Sequence, residues 1–468
     1  MQFRINKIQV DDIDYQTDKI ELVNQLNDKR PNHFSLIVGN NGTGKSRLLG
    51  NIARILNNRF KKSTIDLFDF SIFEIFGEPS KIISVSNSLS DKFPLDRAFR
   101  LRNDESFSYS KERYNYLGTR GGLGSSSTYL MRRAIDILLE NYSNKNVSKC
   151  YRHVFDYLDY SPIIKLEYRI KHTELVQNNE IVTPVHLQEY INKRSKYSSF
   201  DSKYFLKIED QYQNKFQDVC DFLNQIRQEQ IRTYELTINF SYNNIERIDK
   251  DNSQYKEELR LYEILNILRK LNMIRGFEVK LFKKDNQGFS FSDASSGEAN
   301  ILTTLIALVP LVENNCCVLI DEPEISLHPS WQYRYLDLLN KIFENFKGCH
   351  IIIASHSHFI VSDLPQDNSS IITLKKIDKS IKSELLTDST YGCSAEDILL
   401  NVFEMPTTRN FYVSNLVTES LELLGRNQKK SLRFKNINSQ LLNIFPILKD
   451  EDPLKLVISS LLKVNVDE

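Results

Sequence analysis

Apolar and polar positions fall into three kinds of run along the chain. Short continuous apolar stretches at Ser35–Val38, Lys81–Asn87, Cys316–Ile320 and His350–Ala354 have the length and punctuation of buried strands. Alternation at Ile164, Leu166, Tyr168 and Ile170, and again at Tyr234, Leu236, Ile238, Phe240 and Tyr242, predicts half-buried strands. Phe3, Ile5, Ile8 and Val10 sit near the same spacing and predict a first strand pairing beside Ser35–Val38. Helical spacing links Ile208, Tyr212, Phe216, Val219, Phe222 and Ile226. It links Tyr255, Leu259, Tyr262, Leu265, Leu268 and Leu271 in the same way. Helices of about 25 residues would span about 40 Å, too short for a long coiled-coil arm and suited to a packed α/β insertion. Toward the end of the chain a strand at Ser370–Leu374 precedes helical patterns at Thr407–Glu422, Ser439–Phe445 and Pro453–Leu462.

Composition narrows the picture. The 468 residues are 41% hydrophobic and suggest about two to four domain-sized units. Sixty-one basic residues balance sixty-one acidic ones, so any nucleic-acid contact rests on local patches and not on net charge. One such patch has five basic residues in the ten from Arg426 to Lys435, where a solvated helix face is the alternative. The six cysteines contain no C-x-x-C, and two lie inside an apolar strand, which predicts buried thiols in a reducing compartment. No run of 18 apolar residues occurs, and the expected location is cytoplasmic, with no membrane span. Residues 102–128 are polar and Gly/Ser-rich, a surface loop carrying Arg120 either as a solvated side chain or as an arginine acting in trans.

The chemistry begins where the Ser35–Val38 run stops. Gly39-Asn40-Asn41-Gly42-Thr43-Gly44-Lys45-Ser46 fits G-x-x-x-x-G-K-[ST] between a strand and a helical pattern opened by Arg47, Leu48 and Leu49. Glycines let backbone N–H groups converge on phosphate oxygens, and the following helix N-terminus adds partial positive charge. Lys45 then reaches the β- and γ-phosphates and the Ser46 hydroxyl meets Mg²⁺. A chance match in a chain of this length arises on the order of once in a hundred. The motif therefore predicts a nucleoside triphosphate site.

Three later stretches complete it. Ser292–Asn300 reads SDASSGEAN and leads into an apolar helix. Twenty-five residues beyond Ser296, the Cys316–Ile320 strand ends in Asp321 and Glu322. Adjacent acids at an apolar strand tip are costly unless a cation or a reactive water needs them. Asp321 suits Mg²⁺, and Glu322 suits the orientation and deprotonation of an attacking water. A third strand, His350–Ala354, ends in Ser355-His356-Ser357-His358, where His356 can reach a γ-phosphate and the water. A capping histidine, or a His356/His358 metal pair, is the alternative, though no further zinc ligands stand at suitable spacing.

Gly39–Ser46, Ser295–Glu298, Asp321-Glu322-Pro323 and His356 together resemble the ABC-class ATPase heads, in the branch holding SMC, RecF/RecN and OLD-family ATPases. The strings Glu322–Pro329 (EPEISLHP) and Ala354–Ile360 (ASHSHFI) resemble the OLD/AAA-like ATPase subunits of bacterial anti-phage defence, such as PtuA-like and AriA-like proteins. The resemblance implies an α/β fold: a P-loop ABC-type head assembled from N- and C-terminal lobes, with an α/β insertion and a small C-terminal helical subdomain. Its divisions are expected at 1–130, 131–275, 276–380 and 381–468. It implies ATP and Mg²⁺ as cofactors, with Glu322 and His356 catalytic and Ser46 and Asp321 on the metal. Ser296, Gly297 and Glu298 would face ATP held by a second subunit, giving a homodimer or higher homo-oligomer.

The family pattern is departed from in three places. Lys45 and Ser296 stand 251 residues apart (296 − 45), so an insertion lies inside the head. No Gln is assigned to the lobe-linking Q-loop. The C-terminal region shows no Toprim nuclease: the strand at Ile371–Leu374 leads to Lys375-Lys376, and Asp450-Glu451-Asp452 precedes Pro453 in a turn. The expected function is an ATP-driven conformational switch controlling a separate effector, such as a nuclease, in anti-phage defence. A RecF/SMC-like ATPase that clamps DNA is the alternative. A transporter subunit and a catalytically dead scaffold fit less well.

Overall fold

The computed structural model describes residues 2–12, 15–25, 28–61, 70–96, 112–120, 127–141, 145–171, 173–177, 180–197, 215–240, 253–365, 367–378, 380–386, 393–403, 410–448 and 452–463. The chain divides into two compact units, Met1–Gly392 and Cys393–Glu468.

The first unit is a mixed α/β structure built on an eleven-stranded sheet. Its strands are β1 (Arg4–Asp12), β2 (Tyr15–Thr17), β3 (Ile20–Glu21), β4 (His33–Gly39), β5 (Phe70–Phe76), β6 (Ile82–Ser86), β7 (Tyr114–Gly118), β12 (Cys317–Asp321), β13 (His350–Ala354), β14 (Ser369–Ile377) and β15 (Ser380–Leu386). They run in the order β3-β1-β2-β15-β14-β4-β13-β12-β6-β7, with β5 paired to β1. From β14 to β7 every pairing is parallel. Each residue of β6, β12 and β13 is buried, which explains why these strands read as unbroken apolar runs: helices cover both faces. β7 is equally buried and pairs with β6, although its YNYLG sequence lies inside the polar stretch 102–128 expected to be a surface loop; its tyrosines and amide gave no apolar run to mark it. Helix Lys45–Lys61 packs on β12, β13 and β6. Helices Ser296–Leu311 and Pro329–Phe343 pack against Ser127–Glu140 and Lys145–Leu158.

The first strand is not beside β4. It is separated from β4 by β2, β15 and β14, and pairs antiparallel with β5. A slot next to β4 needs a strand buried on both faces, and β14 supplies six successive buried residues, whereas β1 carries partly exposed Asn6, Lys7 and Gln9. β4 thus takes both of its neighbours, β13 and β14, from the far part of the sequence.

A second, antiparallel sheet holds β8 (Tyr160–Ile170), β9 (Thr233–Asn239), β10 (Ile274–Lys283) and β11 (Gly288–Ser290), in the order β11-β10-β8-β9. Position 275, where the sequence analysis ends the inserted segment, lies within β10. Helices Phe216–Gln228 and Ser253–Lys270 pack together by this sheet. Phe216, Val219, Phe222 and Ile226 form a buried stripe as expected; Ile208, Tyr212 and Tyr242 lie outside the described residues.

In the second unit, helices Phe411–Gly425, Leu432–Ile444 and Pro453–Lys463 close on Leu416, Ile437, Leu441, Ile458 and Leu461. Within the basic run, Arg433 makes a two-pronged bond to Glu419 and Arg426 pairs with Glu422. Asp452 caps the last helix through Leu454 N–H at 2.9 Å, while Asp450 and Glu451 lie outside the described residues. No helix among the described residues is long and apolar enough to cross a membrane.

Candidate functional site

The site assembles at the ends of β4, β13 and β12, where parallel strands deliver their last residues to one edge. β4 runs out at Gly39, whose φ of +153° turns the chain over Leu374: a Cβ there would meet the Leu374 carbonyl oxygen at 2.4 Å. Gly42 and Gly44 have φ of +81° and +83°, a region that non-glycine residues rarely enter. The helix then starts at Lys45, so its first N–H groups face the loop. Lys45 Nζ donates to the carbonyls of Gly39 (2.7 Å) and Asn40 (3.2 Å), and the Thr43 hydroxyl donates to Asn40 O at 2.9 Å. Tyr15, which sequence reading passed over, walls this loop: a Cβ on Gly44 would lie 2.2 Å from its ring, and the Arg47 guanidinium stands 5.3 Å from the ring centre.

Register places the acids. Asp321 aligns with Ala354 on one side and Ser86 on the other. Ser46 Oγ donates to Asp321 Oδ1 at 3.0 Å, while Asp321 Oδ2 is buried with no partner. Burial pushes the Asp321 carboxyl up to about 7, against the Ser46 bond, with Glu322, Asp91 and Glu324 adding to the rise. Burial also draws Lys45 down to about 8, against the pull of Glu322, Asp321 and Glu324. Glu322 has φ +50°, fixed by its N–H donating to Ala354 O at 2.9 Å, and this turn swings its carboxylate out of the strand line. Glu322 Oε1 lies 3.7 Å from His356 Nε2, and His356 Nδ1 lies 3.5 Å from Lys45 Nζ. Burial and the Lys45 charge press His356 down to about 4, so its ring is neutral at physiological pH.

Two further acids stand close by. Glu324 accepts the His356 backbone N–H and keeps a second, buried oxygen without a partner; burial raises its carboxyl. Asp91 accepts the Tyr116 hydroxyl at 2.5 Å and the Phe93 N–H at 3.0 Å, and Arg120 lies 3.6 Å from it. Arg120 is therefore built into a side-chain network. Only the E-P-E spacing could have flagged Glu324, and nothing local flags Asp91. An amide, Asn87, follows the tip of β6 and accepts the Thr304 hydroxyl at 3.4 Å. Sequence reading assigned no residue to that position.

The Ser295–Glu298 segment is a helix start. Ser295 caps Ser296–Leu311 with a reciprocal box: its hydroxyl accepts Glu298 N–H, and Glu298 accepts Ser295 N–H at 2.9 Å. Burial raises the Glu298 carboxyl, but bonds from Tyr160 (2.6 Å) and Ser295 outweigh it and hold it below the usual range. Ser296 is exposed at the helix tip, and Gly297 is buried against Ser326 O, which a Cβ would approach to 2.2 Å. Among the described residues no hydrogen bond joins Ser296, Gly297 or Glu298 to the Gly39–Ser46 loop of the same chain. His328 caps helix Pro329–Phe343, accepting Ser330 N–H at 3.3 Å. His358 opens a short helix against Phe359, and no cluster of three or more His, Cys, Asp or Glu side chains among the described residues is placed to hold a metal.

A family profile described as an AAA ATPase domain matches residues 14–361. The chain is 24% identical over 451 residues to the "Retron Vc95 probable ATPase" of Vibrio cholerae serotype O1 biovar El Tor, covering 86% of this chain and 81% of that protein. It is 28% identical over 129 residues to "Protein ea59" of Escherichia phage lambda, covering 27% of this chain and 24% of that one. Among solved structures, the Smc head domain of Pyrococcus furiosus overlays with a TM-score of 0.31 at 12% identity, over 82% of this chain and 96% of that one.

Proposed function

The chain belongs to the AAA ATPase domain family, and on that premise we propose that ATP hydrolysis here works a conformational switch between two copies of the chain. The observation that carries the proposal is the convergence of Lys45, Ser46, Asp321, Glu322 and His356 within single side-chain distances of one another. The Gly39–Gly44 amides and Lys45 hold the phosphates. Ser46 and Asp321 fit a divalent cation: the buried Asp321 Oδ2 has no hydrogen-bond partner, and Asp321, Glu322 and Glu324 all bear on the single ammonium of Lys45. Mg²⁺ there would neutralise charge on the β- and γ-phosphates. Glu322 orients and deprotonates the attacking water, and neutral His356 offers a ring nitrogen to that water or to the γ-phosphate. Ser296, Gly297 and Glu298 present a helix start to the partner's ATP; Ser296 takes part directly, and Glu298 holds the turn. The β8–β11 sheet, with its helices, carries the change away from the site. Resemblance to phage-defence ATPases, and likeness to a retron's probable ATPase, support control of a separate effector, such as a nuclease.

Solution mass tests the sandwich. With a non-hydrolysable ATP analogue and Mg²⁺ the mass should double, and Ser296→Arg should abolish the doubling. That variant should bind ATP within about threefold of the native value and lose at least about tenfold in turnover, since an exposed helix tip matters only to a second copy. Native turnover by Ser296→Arg would overturn the proposal. A mass gain on duplex DNA without doubling would favour the clamp reading.

Asp321 predicts a pH dependence. A carboxyl must shed its proton to bind a cation. With its value in the free protein at about 7, affinity for Mg²⁺·ATP should fall by up to about tenfold per pH unit below about 7 and level off above it. The ligand-free protein should itself lose stability as pH rises from about 4 toward 7, because the folded state keeps a proton that the unfolded chain releases. Calorimetry near pH 6 in two buffers of different ionisation heat should register close to one proton released. An affinity flat across this range would contradict the assignment.

A further inference from the structure

We propose that the groove between helix Ser127–Glu140 and the β8–β11 sheet is a binding site for a small phosphorylated ligand of mononucleotide size. The groove has a volume of about 380 Å³ and shares no residue with the Gly39–Ser46 loop. That volume lies in the range of small-molecule sites and far below what a nucleic-acid duplex needs. Its floor is apolar: Met131, Phe277 and Val279 line it and are buried. Against that floor stands Arg132, its guanidinium 5.5 Å from the centre of the Phe277 ring.

Arg132 is the reason to expect an anion. Its Nε is shielded from solvent and has no hydrogen-bond partner, and no carboxylate pairs with the side chain among the described residues. An arginine nitrogen removed from water without a partner is costly, and a phosphate would satisfy the planar fork bidentately. At the rim, Arg169 holds Glu278 across 3.5 Å with much of its side chain exposed, an ion pair weak enough to be exchanged for a dianion. The facing wall carries the hydroxyls of Ser290 and Ser292, 2.7 Å from each other and able to turn toward phosphate or ribose oxygens. Two arginines against one glutamate leave the groove cationic. The apolar floor accounts for a ligand with a body and not for a bare ion.

The groove also has a route to turnover. Ser292 precedes Ser295 by three residues, so an occupant touching Ser290 and Ser292 bears on the turn that sets Ser295–Gly297. Regulation by this route rests on the reading that Ser296 and Gly297 face a partner's ATP; binding itself does not.

The test uses the full chain carrying Lys45→Ala, which weakens nucleotide binding at the loop, titrated calorimetrically with each of the four nucleoside 5′-monophosphates and with inorganic phosphate. One of the monophosphates should bind saturably with one site per chain. Adding Arg132→Gln should weaken it at least about tenfold, and Arg132→Lys should restore part of the loss. With native Lys45, Arg132→Gln should leave basal ATP turnover unchanged, and Arg169→Gln, whose side chain is exposed, should also weaken the monophosphate severalfold. Absence of binding by all four, or binding unchanged by both arginine variants, would overturn the proposal. Inorganic phosphate binding as tightly as any nucleotide would overturn the ligand class. Weakened ATP binding in Lys45→Ala with monophosphate binding intact would separate this site from the first.

Discussion

Lys45→Ala is expected to weaken ATP binding by roughly thirty- to a hundredfold, the worth of a charge-assisted bond of roughly 2–3 kcal/mol. The side chain is only 4% exposed and is held over the loop by the carbonyls of Gly39 and Asn40. Its ammonium is thus positioned before phosphate arrives, and little rotamer entropy remains to be lost on binding. Burial brings its value down to about 8, close enough to neutrality that a phosphate dianion alongside should restore the full charge. Alanine removes this cation and leaves Asp321, Glu322 and Glu324 facing the γ-phosphate without it. Titration of ATP in the presence of Mg²⁺ measures the loss; an unchanged Kd would remove Lys45 from the phosphate site.

Glu322→Gln should act in the opposite sense on the two constants: kcat down about a hundred- to ten-thousandfold, and ATP affinity within a few-fold of native. Glutamine keeps the size of the side chain, and the positive-φ turn that aims it is fixed by backbone, through Glu322 N–H on Ala354 O at 2.9 Å. The variant loses a proton acceptor and little else. His356 cannot substitute, since burial and Lys45 hold it near 4 and make it a weak base. Single-turnover phosphate release is the measurement. Native kcat in Glu322→Gln would assign the base to another group, and Glu324, half-buried beside the His356 backbone, would be the next to test.

How much of this was legible depended on whether the information was local. The loop, the strand-end acids and His356 each sit in a run whose apolar stretch, break and polar tip are contiguous, so the sequence pointed to buried strands of an α/β head with chemistry at their ends. The place of β1 was misjudged because Phe3, Ile5, Ile8 and Val10 define a face but not a neighbour; only burial on both sides of β14 decides which strand flanks β4. Asp91 and Asn87 were invisible for another reason: they follow strand β6 in polar loop sequence, and their relevance comes from β6 lying beside β12, a pairing across more than 200 residues. Arg120 read as a solvated loop residue because its partners, Asp91 and Phe93 O, lie almost thirty residues back. Tyr15 was missed because a single aromatic in a short strand gives no sign that it will close over Gly44.

The strand order has a consequence for how the protein is made. β4 carries the phosphate loop, but both strands that bond to it lie beyond residue 349. At a synthesis rate of about 5–20 residues per second, roughly a quarter of a minute to a minute separates β4 from β13 on the ribosome. Throughout that interval an apolar strand, buried along its length in the finished protein, waits with its backbone unpaired. Such a nascent chain exposes an unpaired apolar strand, and ATP cannot assist its folding until β13 and β14 have been made.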